Sequence, residues 1–559
     1  MSDKEEKYTR LDQAFARFLS QRSKFENVKL KSLEYLLARL SQQQHQGHNC
    51  IEISETEKEL ILNSGLATDS TATFPLTFPL IIEQNRLYLH RYWFYEDRLA
   101  QQIERLSHIS FTAEKVDNLL DRYFGIPGPE TNLQRAAAQL ACELAFCVIT
   151  GGPGTGKTTT VCKILATVQE LSPKPLLIAL AAPTGKAAMR LQEAIVQNLT
   201  TLNCPDAIKA HIPKTATTLH RLLGANPPSP YFRHDAGNPL IYDLVVVDEA
   251  SMVDLSLMSK LVDALKPGAR LILIGDKDQL VSVESGAVLA DLIAALPDIT
   301  VELKQSYRFN DTIKKLADSV NQQNSEEAWT IMSEAAPTIR MLAQKQLIPY
   351  ILDQRTDYVR LIKSNADFPE IYRAFNRFQV LCSNRHGNVG AFAINATVEQ
   401  ELFGQHQKLG ATSWYTGRPV MVKQNSPTLH LYNGDIGICL PDQEQSGNLM
   451  VFFHRPDGTI KKYLPTRMPN CETNFAITIH KSQGSEFEEV LVALPGTTNP
   501  VLSKELLYTA ITRAREKVTL AVEKDIIIAT INQKITRTTG LPYKLQKSKC
   551  QNIKKKLSV

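Results

Sequence analysis

The sequence contains few of the features that mark secreted or membrane proteins. Its nine cysteines are odd in number and scattered, and the closest two, Cys142 and Cys147, form no CxxC pair. This pattern argues against a disulfide framework or a zinc site and favours reduced thiols. The longest apolar run, Leu176 to Ala182, is far shorter than the ~20 residues that a membrane helix needs. The charged start, Met1 to Lys7, lacks the apolar core of a signal peptide. We therefore expect a cytoplasmic protein.

Neither sign of charge is in large excess. The 63 basic and 58 acidic residues leave a net charge of +5, which is too small to indicate nucleic-acid binding by itself. The content of 43% apolar and 22% charged residues is typical of globular proteins. A length of 559 residues predicts several domains. The Lys-rich stretch from Lys544 to Lys556 predicts a solvated end, with a dedicated DNA arm as the alternative.

A glycine-rich stretch follows the apolar run Ala145 to Thr150 and precedes a segment, Thr159 to Val168, that favours a helix. In this order, glycine N–H groups can converge on a polyphosphate at the start of a helix. The spacing predicts a phosphate-binding loop, in which Lys157 would reach the β- and γ-phosphates and the Thr158 hydroxyl would hold Mg²⁺. The loop comprises Gly151, Gly152, Pro153, Gly154, Thr155, Gly156, Lys157 and Thr158.

Two adjacent carboxylates end another apolar run, Leu244 to Val247. Asp248 would hold Mg²⁺ at the tip of a strand, and Glu249 would polarise the attacking water as a general base. A glutamate beside the magnesium aspartate favours hydrolysis of ATP over phosphoryl transfer to a substrate. A helix cap is the alternative interpretation of this pair.

Three further side chains are candidates for contact with the γ-phosphate. Gln279 follows the apolar run Leu271 to Ile274 and could link the γ-phosphate to a moving part. Arg308 and Arg513 lie far from the glycine-rich loop, and an arginine commonly stabilises the transition-state charge. If Arg513 reaches ATP, the nucleotide lies between two domains and hydrolysis can open and close their cleft. A surface salt bridge is the alternative for each arginine.

Short apolar strands alternate with helices in two parts of the chain. From about residue 111 to 345, each strand ends in a polar loop, as expected for a parallel α/β sheet with ligands at its carboxyl edge. A second such unit runs through Val380, Val490 and Val518. Between these strands, at about 405–470, the turn dipeptides Asn433-Gly434 and Asp457-Gly458 predict a small antiparallel barrel.

The first 110 residues contain no visible chemistry. The spacing of Leu11, Phe15, Phe18 and Leu19 predicts an amphipathic helix. An aromatic-rich strand and helix follow later, and they favour a small packed domain, with a docking surface as the alternative.

Together these stretches resemble the motifs of superfamily 1 helicases, nearly in order, from about residue 75 to 541. The string from His480 to Phe487 is the most specific. The resemblance is to the RecD branch, whose N-terminal domain is similar to Leu87 to Glu96. The remaining similar stretches are Gln134, Ala182 to Ala188, Thr217 to Leu223, Asp248-Glu249, Gly275 to Gln279, Tyr307-Arg308, Asn433 to Gly437, Tyr508 to Arg515 and Thr536 to Leu541.

The resemblance implies an α/β fold with two RecA-like P-loop domains, a small SH3-like β-barrel inserted in the second, and a mainly helical N-terminal domain. It implies an N-terminal partner-docking domain at 1–110 and a RecA-like domain 1A at 111–345. Domain 1A would carry a short 1B strand-separating pin near 225–240. Domain 2A would span 346–559 and contain the barrel, 2B, at about 405–470.

The resemblance also implies roles for individual residues. Gln134 would contact adenine. The roles argued above would fall on Lys157, Thr158, Asp248, Glu249, Gln279, Arg308 and Arg513. Four side chains would lie near a DNA single strand: Thr184, His220, His480 and Ser482. Two positions depart from the family pattern, Val281 and Phe309, and neither removes a catalytic atom.

The implied activity is that of an ATP-dependent 5′→3′ DNA helicase with ATP and Mg²⁺ as cofactors. Its implied partners are single-stranded and duplex-end DNA and RecB- and RecC-like subunits in a heterotrimer, which acts in double-strand break repair and recombination. Only about 130 residues precede Gln134, which favours a complex-forming subunit. Exonuclease activity would belong to the whole complex. The alternatives are a stand-alone RecD-like helicase and a regulatory DNA-binding subunit with weak ATPase.

Overall fold

A computed structural model of the chain describes residues 8–72, 77–111, 116–126, 132–282, 285–305, 311–334, 337–404, 414–426, 428–455 and 458–547. The candidate Arg308, its neighbour Phe309 and the turn residue Asp457 lie outside the described residues. Within the described ranges, no helix has the length and apolar character to cross a membrane.

The N-terminal unit packs helices against a small sheet of strand order β1-β4-β3-β2. The predicted first helix is confirmed. It begins at a capping box, in which the Thr9 hydroxyl accepts from the Asp12 N–H at 3.2 Å and the Asp12 carboxylate accepts from the Thr9 N–H at 3.0 Å. In chain order the elements are α1 (Arg10–Ser20), α2 (Asn27–His45), β1 (Cys50–Glu52), α3 (Glu55–Asn63), β2 (Ala67–Asp69), β3 (Leu80–Glu83), β4 (Arg86–Leu89) and α4 (His90–Ser107).

The first α/β unit contains a parallel sheet of order β10-β5-β9-β8-β6-β7, with a hydrophobic cluster on each face. All of its predicted strands are present. Its elements are α5 (Val116–Phe124), α6 (Leu133–Glu143), β5 (Phe146–Gly151), α7 (Lys157–Leu171), β6 (Ile178–Ala182), α8 (Gly185–Thr201), α9 (Asp206–His211), β7 (Thr217–Thr218), α10 (Leu219–Leu222), β8 (Leu244–Val247), α11 (Leu255–Asp263), β9 (Arg270–Gly275), α12 (Val288–Ala295) and β10 (Thr300–Leu303).

The second α/β unit contains a parallel sheet of order β11-β20-β19-β12-β18, and an antiparallel sheet of order β16-β15-β14-β13-β17 is inserted in it. The elements are α13 (Asp311–Asn321), α14 (Ser325–Ser333), β11 (Ile339–Leu342), α15 (Leu347–Gln354), α16 (Thr356–Lys363), α17 (Phe368–Arg377), β12 (Phe378–Cys382), α18 (Ala391–Phe403), β13 (Arg418–Val422), β14 (Ile436–Asp442), β15 (Asn448–His454), β16 (Ile460–Tyr463), β17 (Cys471–Thr473), β18 (Ala476–Thr478), α19 (Ile479–Ser482), β19 (Phe487–Ala493), α20 (Lys504–Ile511), β20 (Ala514–Ala521) and α21 (Lys524–Asn532).

The predicted boundary between domains at residues 345 and 346 is too late. Strand β11 pairs with β20 of the second sheet, and Ile313, Leu316 and Met332, from α13 and α14, pack in the core beside that sheet. The segment after α21 departs from the prediction in the other direction, because Leu541 and Leu545 belong to a core cluster of the first unit. Packing therefore places the segment from α13 to β11 in the second unit and the segment after α21 against the first unit. Sequence order alone does not indicate either placement.

The inserted sheet agrees with the predicted antiparallel strands. Its edge strands, β16 and β17, show no pairing with each other among the described residues, so closure into an SH3-like barrel stays a prediction. Gly434, at φ +95°, lies in a turn that leads into β14, in which the Asp435 N–H donates to the Tyr432 carbonyl at 3.0 Å. Asn433-Gly434 is thus a turn before a strand and not a two-residue hairpin, because residues 423–435 lie between β13 and β14 and make that connection too long.

Candidate nucleotide-binding cleft

The glycine-rich loop joins β5 to α7 at the carboxyl edge of the first sheet. Gly154 and Gly156 have φ values of +78° and +79°, in the left-handed region that side chains disfavour. A Cβ at Gly151 would lie 2.6 Å from the Leu303 carbonyl oxygen, so glycine is required there by close packing as well. The result is a compact turn whose N–H groups precede the first turn of α7, an arrangement that suits a bound polyphosphate.

Lys157 lies inside this loop. Its Nζ donates to the carbonyl oxygens of Gly151 and Gly152 at 2.7 and 2.9 Å. The Thr155 hydroxyl donates to the Gly152 carbonyl at 2.9 Å and braces the same turn. The ammonium group is therefore held where the loop would cradle a phosphate, which fits a nucleoside triphosphate.

Asp248 and Glu249 follow β8 and line the same cleft. The Glu249 N–H donates to an Asp248 carboxylate oxygen at 2.9 Å, and Glu249 itself has φ +52°, an uncommon value for a residue with a side chain. Burial and the neighbouring Glu249 carboxylate raise the pKa of Asp248 to about 6. Asp248 and the Thr158 hydroxyl supply oxygen donors of the kind that Mg²⁺ prefers.

Gln279 lies in the loop after β9 and is almost completely buried, with 4% of its surface exposed. Its Nε2 donates to Asp276 Oδ2 at 2.9 Å, and the Tyr508 hydroxyl donates to the same oxygen at 3.2 Å. Tyr508 belongs to α20 of the second unit, so this loop is hydrogen-bonded across the cleft. A Cβ at Gly152 would lie 3.1 Å from the Tyr508 hydroxyl, so Tyr508 also packs closely against the glycine-rich loop.

The cleft has a volume of about 780 Å³ and is lined by both α/β units. Arg513, which follows α20, lines it from the second unit together with Gly484 and Glu486. Its Nε and Nη1 donate to the carbonyl oxygens of Thr509 and Ser485, each at 3.2 Å. These bonds hold the guanidinium in place on the wall opposite the glycine-rich loop. Gln134 also lines the cleft, at the start of α6.

Arg190 is a further basic side chain in this cleft, and no motif in the sequence singles it out. It lies on α8, between Ala187 and Ala194, which line the cleft too. Arg190 lies 3.6 Å from Glu486 of the second unit. Its helical spacing from the Ala182–Ala188 stretch could have indicated this position, because residues three or four apart share one face of a helix.

The four candidates for DNA contact differ in exposure. His220 is exposed, and Thr184 and His480 are partly exposed. Burial lowers the pKa of His480. Ser482 is fully buried and its hydroxyl donates to the Ile479 carbonyl at 2.7 Å. In this conformation Ser482 can support the end of α19 but presents no side-chain atom to a DNA strand.

The inserted sheet meets the first unit beside Thr184, which caps α8, and His220, which lies on α10. The Tyr432 hydroxyl accepts from Arg221 at 3.2 Å, and a Cβ at Gly185 would lie 3.1 Å from the Tyr432 Cβ. These contacts place the turn before β14 directly over the carboxyl edge of β6 and β7.

Residues 225–240, the predicted pin, form a short antiparallel arm. Ala225 bridges to Phe232, and Asp235 bridges to Asn238. Tyr231 is 77% exposed beside the first bridge, while the Phe232 ring packs edge-on against His220 at 5.8 Å. The arm thus lies beside His220 on the first unit, where Lys260 of α11 also donates to the Pro230 carbonyl at 2.9 Å. Within the described ranges, no group of three or more His, Cys, Asp or Glu side chains is placed to hold a metal ion.

Two parallel α/β sheets facing a shared cleft, with a glycine-rich loop and an Asp-Glu pair on one wall and an arginine on the other, define the class of P-loop motor ATPases. Family models agree with this class. The AAA domain matches residues 134–285, the UvrD-like helicase C-terminal domain matches 474–521, and the N-terminal domain of the RecBCD enzyme subunit RecD matches 4–79.

The RecBCD enzyme subunit RecD of Mycolicibacterium smegmatis is 37% identical over 473 residues, covering 82% of this chain and 82% of that protein. The RecD subunit of Haemophilus influenzae is 33% identical over 528 residues, covering 83% and 80%. The ATP-dependent RecD2 DNA helicase of Deinococcus radiodurans is 31% identical over 468 residues, covering 82% of this chain and 58% of that protein. The chain belongs to the RecD family and is an ATP-dependent DNA helicase, as the motif resemblance predicted.

Proposed function

We propose that this helicase hydrolyses ATP in the cleft between its two α/β units and moves 5′→3′ along single-stranded DNA as a subunit of a RecBCD-type helicase–nuclease. One observation carries the proposal. The glycine-rich loop and the Asp248-Glu249 pair line the cleft from the first unit, and Arg513 lines it from the second. A nucleotide held there touches both units, so its hydrolysis can change their separation.

The proposed roles follow from chemistry and position. Lys157 contacts the β- and γ-phosphates, and Gln134 contacts adenine. Thr158 and Asp248 hold Mg²⁺, which would neutralise phosphate charge. Glu249 accepts a proton from the attacking water, and Gln279 senses the γ-phosphate. Arg513 stabilises the charge of the transition state, and Arg308, outside the described residues, is proposed as a second such arginine from the resemblance alone.

The DNA track is proposed to cross the carboxyl edges of both sheets. Thr184 and His220 lie there on the first unit, beneath the Tyr432 turn of the inserted sheet. His480 lies on the second unit. The arm at 225–240 is proposed to split the duplex ahead of this track, with Tyr231 at its exposed position. A strand in such a groove is bound through its backbone and through stacking, with little sequence preference.

The N-terminal unit is proposed to bind the partner subunits. Its first two helices expose large apolar side chains at helical spacing: Leu11 (62% exposed), Phe18 (55%), Val28 (77%) and Tyr35 (42%). Leu11 and Phe18 are seven residues apart on α1, as are Val28 and Tyr35 on α2, so each pair shares one face. We name these four residues the α1–α2 face. The relatives described as RecBCD subunits support RecB- and RecC-like chains as the occupants.

Substitution of Lys157 by Gln tests the hydrolysis site. We expect the ATPase rate stimulated by single-stranded DNA to fall by about 100-fold or more, since a charge that stabilises the transition state is removed. Unwinding should fall with it while binding of single-stranded DNA survives. Lys163→Gln is the matched control, because Lys163 lies on the same helix and packs on Phe124 at 5.2 Å, outside the cleft. Unwinding that persists in Lys157→Gln would disprove the proposed site.

Polarity is tested separately. Duplexes with either a 5′ or a 3′ single-stranded tail are offered to the chain alone and to the complex with its partners. The proposal requires unwinding of the 5′-tailed duplex. Unwinding restricted to the 3′-tailed duplex would contradict the proposed direction without affecting the assignment of the ATP site.

A further inference from the structure

The segment after α21 returns from the second unit to the other two. We name residues 535–547 the C-terminal strap. It begins at the second unit, where the Ile535 N–H donates to Glu505 at 3.1 Å. It then reaches the N-terminal unit, where the Gly540 N–H lies 3.1 Å from both carboxylate oxygens of Glu96. Leu541 and Leu545 finally pack in the core of the first unit. The strap therefore ties three units together.

Arg537 lies where the strap, the N-terminal unit and the first α/β unit meet. Its Nη1 donates to the Gly286 carbonyl and its Nη2 to the Ser282 carbonyl, each at 2.6 Å. The guanidinium covers Gly47 of the N-terminal unit, where a Cβ would lie 2.8 Å from Cζ. Gly47 has φ +91°, and its carbonyl accepts from the Gly286 N–H at 3.0 Å. One side chain thus touches a glycine from each of two units.

Ser282 lies three residues after Gln279 in the loop that follows β9. The near end of this loop is held by the second unit. The Leu280 N–H donates to the Thr509 hydroxyl, and the Leu280 carbonyl accepts from Gln483, each at 2.9 Å. The far end is held by Arg537. The position of Gln279 in the cleft therefore depends on anchors at both ends of a short segment.

We propose that Arg537 is a positioning residue for ATP hydrolysis, which fixes the Ser282 end of this loop and transmits the position of the N-terminal unit, through Gly47, to Gln279. The proposal rests on the proposed role of Gln279. A guanidinium is suited to this task, because its planar fork donates to two carbonyl oxygens at once in a fixed geometry. A displacement of about 1 Å at a catalytic group can cost up to ~100-fold in rate. A partner bound to the N-terminal unit would thereby influence hydrolysis without touching the cleft.

The test measures kcat and KM for ATP hydrolysis stimulated by single-stranded DNA, and the melting temperature, in the full chain. Arg537→Gln is expected to lower kcat about tenfold and to leave KM within about twofold, since the nucleotide contacts remain. Arg537→Lys should recover only part of kcat, because an ammonium cannot reproduce the fork. Gly47→Ala should lower kcat in the same way although it changes only the N-terminal unit, because the added methyl displaces the guanidinium.

Thr538→Val is the matched control for the strap. Thr538 is the next residue, and its hydroxyl lies 3.0 Å from His48 Nδ1, so its loss weakens the attachment to the N-terminal unit without changing the Ser282 contact. We expect a lower melting temperature and an unchanged kcat. If Arg537 had a purely structural role, Arg537→Gln would also lower the melting temperature and leave kcat unchanged. That result would overturn the proposal.

Gln279→Ala separates the two proposals. If Gln279→Ala lowers kcat and Arg537→Gln does not, only the positioning role fails. If Gln279→Ala has the kcat of the unaltered chain, the proposed role of Gln279 itself fails. Where both single changes lower kcat, the double variant should be no slower than Gln279→Ala, since residues that act through one another are not additive. Additive losses in the double variant would contradict the positioning role.

Discussion

Asp276 is 1% exposed and accepts hydrogen bonds from both walls of the cleft. One of its carboxylate oxygens accepts from Gln279 of its own unit and from Tyr508 of the other. Burial raises the pKa of Asp276, which makes the donated hydrogen bonds important for keeping its charge. The residue therefore couples the loop of Gln279 to the helix that precedes Arg513.

Replacing Tyr508 by Phe removes one of these donors and keeps the ring. We expect a several-fold lower kcat for ATP hydrolysis and a loss of about 1 kcal/mol in the free energy of unfolding, the usual size for one buried hydrogen bond. Tyr350→Phe is the control, because its hydroxyl pairs with Thr519 at 3.1 Å, in the core of the second unit and away from the cleft. Steady-state ATPase assays and urea unfolding of both variants check this. Equal kcat values in the two variants would rule out a coupling role for Tyr508.

At this scale the sequence indicates residues whose chemistry depends on local spacing. The glycine-rich loop and the Asp248-Glu249 pair lie in short contiguous motifs, and each motif indicates its function without knowledge of the fold. Arg537 lies in the Thr536 to Leu541 stretch of the family resemblance, but no role could be assigned to it from the sequence. Its partners Gly47 and Ser282 are hundreds of positions distant and have no chemical signature of their own. Backbone carbonyls and glycine surfaces become binding partners only after the chain has folded.

At the scale of elements, apolar runs predicted the central strands but not the edge strands. Strands β5, β8 and β9 lie inside the first sheet and are almost entirely buried, so each appears in the sequence as a continuous apolar run. Strand β10, Thr300–Leu303, lies at the edge, with most of its residues partly exposed. Strand β11, at the edge of the second sheet, mixes Arg340 with apolar residues for the same reason. An edge strand has one face or side open to water and needs no continuous apolar run.

Helix α12 carries a buried carboxylate whose ionisation should affect stability. Burial is the largest cause that raises the pKa of Asp291 from 3.8 to about 7; the hydrogen bond from Thr539 and the charge of Arg537 lower it, and the charge of Glu96 raises it. Between these pH values the folded chain keeps a proton that the unfolded chain releases. The free energy of unfolding therefore falls as the pH rises from about 4 to 7 and stays at the lower level above that window.

The asparagine side chain in Asp291→Asn cannot ionise, so the free energy of unfolding of this variant should not fall between about pH 4 and 7. We expect the variant to be more stable than the unaltered chain by about 1–3 kcal/mol at pH 8 and nearly equal to it at pH 4.5, within the limit of about 1.4 kcal/mol per pKa unit. Urea unfolding at both pH values measures the difference. Asp353→Asn, at an exposed position of α15, is the control. A difference that does not depend on pH would contradict the raised pKa of Asp291.

At the scale of the whole molecule, three units are joined by shared apolar packing as well as by specific contacts. Leu99, Ile103 and Leu106 of α4, in the N-terminal unit, belong to the same core cluster as residues of the first sheet. The two α/β units share the nucleotide cleft, the inserted sheet contacts the first unit at Tyr432, and the C-terminal strap reaches the N-terminal unit. The pattern of apolar strands predicted the two α/β units and the antiparallel insertion, and it placed the boundary between the units at 345. The family resemblance included Thr536 to Leu541 but gave the strap no role, because packing between distant segments leaves no periodic pattern in the sequence.

The α1–α2 face offers a prediction at this scale. Replacing Leu11 and Phe18 together by Ser should abolish co-purification with RecB- and RecC-like subunits, since exposed large apolar side chains are typical anchors of interfaces. ATPase activity of the isolated variant should stay within about twofold, because the face lies outside the cleft. Leu62→Ser, on α3 and 38% exposed, is the control. Retained association would place the partner surface elsewhere on the N-terminal unit.

The central claim is that ATP is hydrolysed between the two α/β units, and Arg513 tests it most directly because it belongs to the unit without the glycine-rich loop. The measurement is the single-turnover rate of ATP hydrolysis with saturating single-stranded DNA, for Arg513→Gln beside Lys517→Gln. Lys517 lies on β20, the strand that begins directly after Arg513, pairs with Glu489 at 3.5 Å and does not line the cleft. We predict a fall of about 1,000-fold for Arg513→Gln, as expected for a lost arginine finger, with nucleotide binding retained and Lys517→Gln unchanged. Hydrolysis by Arg513→Gln within threefold of Lys517→Gln, a difference of only about 0.6 kcal/mol in the activation free energy, would show that the second unit does not complete the site.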